Sequence, residues 1–204
     1  MKRSTMVFLI VVTCGMAAQA GYDYVIESGY GLPQLNGSKT LLMTGGGGDG
    51  LMMTDHSFAR IEGTSPLQEF YGGIWTLLVG GEAHLEFAGG EVHQLDLGTY
   101  GTAVLSGGRI DLLSSRQNAW KYDGDPPVLV PNPHIMIVCE LDSVNYNTQT
   151  KILTGNWLDS SPFNIRLIDE AGYSPTIDNI QFIPEPATLV LMGFGAFLLH
   201  RRRA

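Results

Sequence analysis

The chain has 204 residues, of which 44% are hydrophobic and 16% charged, with 26 glycines and a formal net charge of −8. That length is enough for a folded domain with a real core. Aromatic and β-branched residues are too plentiful for a disordered chain, and the acidic balance argues against nucleic acid and anionic lipid as partners.

Lys2 and Arg3 precede an apolar stretch from Met6 to Val12, and Ala18-Gln19-Ala20 places small residues before Gly21. A charged start, an apolar helix and a small-residue site predict a secretory signal peptide over residues 1–20. Ala18 and Ala20 are its recognition positions, and Gly21 becomes the first mature residue. Export by the Sec machinery and cutting by signal peptidase follow. A lipoprotein site at Cys14 is the rival, but Thr13 fits poorly before a lipidated cysteine and the Ala-Gln-Ala site is cleaner. With Cys14 removed, Cys139 is alone in the apolar run Ile135 to Val138. It reads as a small buried hydrophobe rather than a nucleophile.

The body from Gly21 to Ile183 holds 7 Lys+Arg against 19 Asp+Glu, a net −12. No window shows a helical period; short alternating runs bounded by glycine predict an all-β chain. Gly45, Gly63, Gly72, Gly81, Gly90 and Gly108 fall on one register of nine, with Thr54 and Thr99 in the intervening slots. Strand candidates lie between them at residues 40–43, 58–61, 74–79, 83–87, 95–97, 103–105 and 109–113. A repeated short strand with a Gly-containing corner predicts a β-solenoid-like stack over residues 21–115. Two units per coil would give a flattened coil of about eighteen residues and three a triangular one; the spacing fits both. An antiparallel meander or sandwich would use the same short strands.

Past Ser114 the repeat stops. Asp123 to Pro127 and Pro131-Asn132-Pro133 form a stiff loop that no strand can cross. Further strands are expected at 134–141, 151–157, 164–168 and 177–183. Residues 116–183 thus read as a linker and a small antiparallel cap that covers the open end of the stack.

Candidate chemistry in the body is sparse. Gly45 to Leu51 lacks the Gly-Lys-Ser/Thr of a phosphate-binding loop, and it is a single, shifted copy of a calcium-binding repeat. A flexible corner loop is expected there. Glu82-x-His84 and Glu91-x-His93 are nine apart; stacking those histidines would make a surface metal site, but a nine-residue period is too short for a closed coil. On one strand Glu82, His84 and Glu86 share the outer face and Ala83, Leu85 and Phe87 the inner one. Asp55-His56-Ser57 has the residue types of a hydrolase triad, yet adjacent residues of a strand point to opposite faces and form no relay. Glu86, Asp96 and Asp111 read as solvent-facing alternates. Tyr71, Trp75, Trp120 and Trp157 would stack on sugars if exposed, and otherwise serve core or cap. No catalytic, cofactor-binding or metal residue is assigned, and no cofactor is expected.

Pro184-Glu185-Pro186 precedes an apolar run from Ala187 to Leu199 and then His200-Arg201-Arg202-Arg203. The prolines stop any element continuing from Ile183. Thirteen residues give a helix of roughly 20 Å, short of the ~30 Å hydrocarbon core, so the predicted transmembrane helix spans marginally with its arginines at the headgroups. Pro184, Glu185, Pro186, the helix and Arg201, Arg202 and Arg203 resemble the PEP-CTERM sorting domain of bacterial exported proteins, a resemblance confined to residues 184–204. It implies a membrane-embedded cysteine protease, exosortase, as a partner that cuts near Pro-Glu-Pro, and a membrane contact through the helix before cutting. It also implies an association with exopolysaccharide at the cell surface or extracellular matrix. The expectation is a non-enzymatic structural or adhesion protein; the alternative is a secreted polysaccharide-binding or polysaccharide-degrading β-solenoid protein.

Overall fold

Leu41 and Met43, Ala59 and Ile61, Leu85 and Phe87, and Ala103 and Leu105 alternate with less buried residues, and all eight are buried. This period of two makes strands with one face turned to a core. The structure is a computed structural model that describes residues 21–67, 73–98, 100–116, 134–171 and 173–184. Its strands are β1 (Tyr24–Ile26), β2 (Thr40–Met43), β3 (Gly47–Met53), β4 (Phe58–Ile61), β5 (Gly73–Val79), β6 (His84–Phe87) and β7 (Glu91–Leu97). They continue with β8 (Thr102–Leu105), β9 (Arg109–Ser115), β10 (Ile135–Val138), β11 (Asn145–Asn147), β12 (Ile152–Asn156), β13 (Pro162–Ile168) and β14 (Ile180–Ile183).

From β2 to β10 the chain deals these strands alternately into two sheets. The first runs β1-β2-β4-β6-β8-β10-β14 and the second β11-β12-β13-β9-β7-β5-β3. From β1 to β9 every pairing is parallel. A parallel pair needs a crossover, and here the crossover is a strand of the opposite sheet. His84 and Thr102 meet on neighbouring strands 18 residues apart, whereas Arg60 and Glu86 meet 26 apart. The regular repeat is therefore two strands, one in each sheet, in eighteen residues, and the stretch between β4 and β5 carries extra length.

That extra length corrects the register of nine. Ile61 pairs with Phe87 and Phe87 with Leu105, so Gly63 lies over Gly89 and Gly107 rather than over Gly90 and Gly108. Gly45, Gly63, Gly89 and Gly107 form the true corner column, where an added Cβ would fall within 3.0 Å of a carbonyl oxygen of the preceding coil. Gly72 and Thr99 lie outside the described residues.

Two expectations need further correction. Gly47 to Gly50 is not a corner loop but the first half of β3, paired with β5; glycine is needed at Gly48 because a Cβ would press on Leu32 of the segment lying over it. The C-terminal strands also do not form one antiparallel cap. β10 pairs in parallel with β8, and β14 with β10, extending the first sheet. Only β11, β12 and β13 are antiparallel to one another, and β13 docks in parallel on β9. The physical reason is that β13 returns to the position the next coil would fill, with the β11–β12 hairpin added beyond it. Trp157 seals this end: it is buried, its indole N–H donates to the Gly108 carbonyl at 2.9 Å, and its ring lies 4.6 Å from that of Phe163.

Candidate functional site

The core between the two sheets is built from apolar side chains, and the exposed polar side chains stand on the outer faces and at the corners. Leu51, Met53, Leu77, Val79, Leu95, Leu97 and Leu113 supply the second sheet's side of the core. Burying each contributes about 1.5–3 kcal/mol.

Midway along β3, β5, β7 and β9 the alternation breaks. Ile74, Val92 and Ile110 point inward, the next two residues point outward, and Leu77, Leu95 and Leu113 point inward again. Residues 49, 75, 93 and 111 fall outside the paired registers, as at a β-bulge repeated from coil to coil. The break brings successive residues of this column into contact. Trp75 stacks on His93 with ring centroids 4.3 Å apart and an interplanar angle of 24°. His93 Nδ1 lies 3.1 Å from Asp111 Oδ2, and Arg109 Nε donates to Asp111 Oδ1 at 2.8 Å. A carboxylate only accepts, so His93 Nδ1 carries its proton. Trp75 remains 52% exposed; the indole is a platform on the outside of the molecule.

Where β13 docks beside β9, the same face opens into a groove of about 430 Å³ lined by Arg109, Asp111, Leu112, Ile152, Asn164 and Arg166. Arg166 pairs across the sheet with Leu112 at the backbone, which sets its exposed guanidinium beside the Arg109–Asp111 pair. Nothing in the sequence signals this meeting, because β9 and β13 are separated by a long excursion through another sheet.

The first sheet carries its own outer column. Tyr22, Phe58 and His84 stack at 6.3 and 5.8 Å, and His84 Nδ1 lies 2.8 Å from Thr102 Oγ1. Arg60 donates to Glu62 at 2.8 Å and to Glu86 at 3.3 Å; the hydrogen bond to Glu62 raises its pKa against the opposing effect of burial. As expected, His84 and Glu86 face outward while Ala83, Leu85 and Phe87 are buried.

The remaining sequence candidates separate. His84 stands on the first sheet and His93 on the second, so the two Glu-x-His pairs do not meet. Among the described residues no group of three His, Cys, Asp or Glu side chains is placed to hold a metal. At the Asp55-His56-Ser57 corner, Asp55 accepts from the Gly37 N–H at 2.9 Å, His56 Nδ1 lies 3.0 Å from Glu82, and Ser57 is buried. Asp96 accepts from the Ser114 hydroxyl and the Gln94 amide. Cys139 is fully buried and burial pushes its thiol pKa up, which disfavours the thiolate. Tyr71 and Trp120 lie outside the described residues.

Of the targeting positions, Gly21 and Pro184 are described, and Pro184 follows directly on β14. Ala18, Ala20, Glu185, Pro186, Arg201, Arg202, Arg203 and both targeting segments predicted as apolar helices lie outside the described residues. Among the described residues no helix is long and apolar enough to cross a membrane. Comparison with protein families matches residues 182–204 to the PEP-CTERM protein-sorting motif. The chain thus ends in the motif that marks exported proteins for exosortase. Comparisons with curated proteins and with solved structures return no match.

Proposed function

We propose that this is a non-enzymatic exported protein of structural or adhesion type, a two-faced β-solenoid displayed at the cell surface or in the extracellular matrix. Sec export and signal peptidase deliver it, the apolar tail helix holds it in the membrane, and exosortase then releases the domain. The observation that carries the reading is the position of the joint. β14 completes the first sheet at Ile183 and the sorting motif match covers residues 182–204, so the two-sheet domain ends where a removable address begins.

The outer faces support the structural part. Arg60 with Glu86, His93 with Asp111, and His84 with Thr102 tie neighbouring strands together. Glu86, Asp96 and Asp111 are each engaged by such partners, which suits a decorated scaffold better than a pair of free catalytic carboxylates.

Intact mass of the protein recovered from its host, with and without the processing protease, tests the proposal. The expected species begins at Gly21 and lacks the Arg201 to Arg203 end only when the protease is present. A tail retained in both strains would overturn the sorting reading and leave a simple membrane anchor.

A further inference from the structure

We propose that the outer face of the second sheet binds a carbohydrate carrying sparse carboxylates, with the β9–β13 groove as the acid-reading subsite and Trp75 as a stacking platform. Charge is the first argument. Among the described residues the body's cations are Lys39, Arg60, Arg109, Arg116, Lys151 and Arg166. Arg60, Arg109, Arg116 and Lys151 pair with carboxylates, and Lys39 bonds the Tyr24 hydroxyl and lies over its ring. Arg166 makes no ion pair with any described residue, in a body with 19 acids against 7 bases. Its guanidinium presents a planar fork suited to a carboxylate, and Arg109 engages Asp111 only through Nε, leaving its two terminal nitrogens for a second anion.

Shape is the second argument. The groove is shallow and open, with Leu112 and Ile152 as an apolar floor and the Asn164 amide and Asp111 carboxylate at its side. A sugar offers this mixture in return: an apolar C–H face for the floor, and hydroxyls that donate to Asp111 and both donate to and accept from Asn164. From β9 the face continues over β7 to β5, two strand spacings or about 10 Å, to the exposed Trp75. His93 covers the Trp75 face on which its ring stacks, so the electropositive C–H face of a pyranose packs on the part of the indole left exposed. The ligand is therefore a polymer laid across the coils and touching both subsites. The net −12 of the body repels a densely charged chain, which selects for carboxylates separated by neutral sugars.

This inference goes beyond the sorting and adhesion reading and is independent of whether the tail is removed. The full chain in detergent would be run by affinity electrophoresis in gels containing hyaluronan, in which every second sugar is a uronate, dextran, or poly-L-glutamate. Retardation is expected in hyaluronan, with little in the other two. Arg166→Ala and Trp75→Ala should each weaken hyaluronan binding at least fivefold, while Arg166→Lys retains part of it. Thermal melts confirm that each variant is folded. Wild-type retardation by either folded alanine variant, no retardation of wild type by hyaluronan, or equal binding of poly-L-glutamate, which would make the partner an acidic peptide, each overturns the proposal.

Discussion

Gly45, Gly63, Gly89 and Gly107 stand at one corner of four successive coils, and each faces a carbonyl of the coil before it. At such a corner the backbone of neighbouring coils approaches too closely for any side chain, so the residue is chosen by space rather than by local propensity. Gly107→Ala should therefore destabilise by about 1–3 kcal/mol through overpacking. Gly50 provides the control. An added Cβ there meets only the Thr76 carbonyl oxygen at 3.8 Å, and Gly50→Ala should be neutral or slightly stabilising because the unfolded chain loses freedom. Urea unfolding of the two variants separates these outcomes, and equal effects would refute the account of the corner.

The turn between β4 and β5 shows what an element-scale change does to a repeat. It is eight residues longer than the corresponding turns and is seated by specific contacts rather than by coil geometry. The Leu67 N–H donates to Glu91 Oε2 at 2.6 Å, and the Glu91 N–H donates to Thr64 Oγ1 at 2.8 Å. Glu91→Gln should weaken the first bond, which the carboxylate charge assists, costing on the order of 1 kcal/mol locally. Limited proteolysis should then cut near Leu67 several-fold faster while the cooperative melt moves little; unchanged cutting would show that the turn is held by other means. The same turn explains how far the sequence could be read. Short apolar alternation from β4 to β9 predicted the strands, since a period of two needs only local information. The register of nine misled because the extra eight residues shift Gly63 from Gly90 to Gly89, a change visible only once β4 and β6 are paired. The β9–β13 groove was beyond reach for a related reason: Arg166 and Arg109 belong to different repeats of an irregular path. Trp75 was singled out as a platform only if exposed, and the outward pair at the middle of β5 is what exposes it.

At the scale of the whole molecule, the end of the stack is fastened by ion pairs that cross between distant parts of the chain. Arg116, just after β9, makes a two-pronged contact with Glu170, just after β13, at 2.8 and 3.0 Å. Lys151, just before β12, lies 3.1 Å from Asp169. Burial works against ionisation of Asp169, but the Thr176 N–H and the Lys151 ammonium outweigh it and hold the carboxyl below its ordinary range. The hydrogen bond and charge of Asp169 in turn raise Lys151. A carboxyl with a depressed folded-state pKa stabilises at pH above its unfolded value and loses that contribution as pH falls through the folded one; a raised lysine stabilises below its unfolded pKa and loses the contribution as pH climbs through the raised value. Both contributions are present from about pH 5 to about pH 9. Because both side chains are partly exposed, solvent screens the pair and the effect is small. Asp169→Asn should lower the melting temperature measurably across that window, and the gap from wild type should shrink as pH falls below the unfolded carboxyl's range of about 4 and the folded carboxyl takes up its proton. It should narrow again above about pH 11 as Lys151 discharges. Melting curves of wild type and Asp169→Asn at pH 2.5, 7 and 11 decide the matter. A gap that stays constant across all three would mean that the charge of Asp169 contributes nothing to stability.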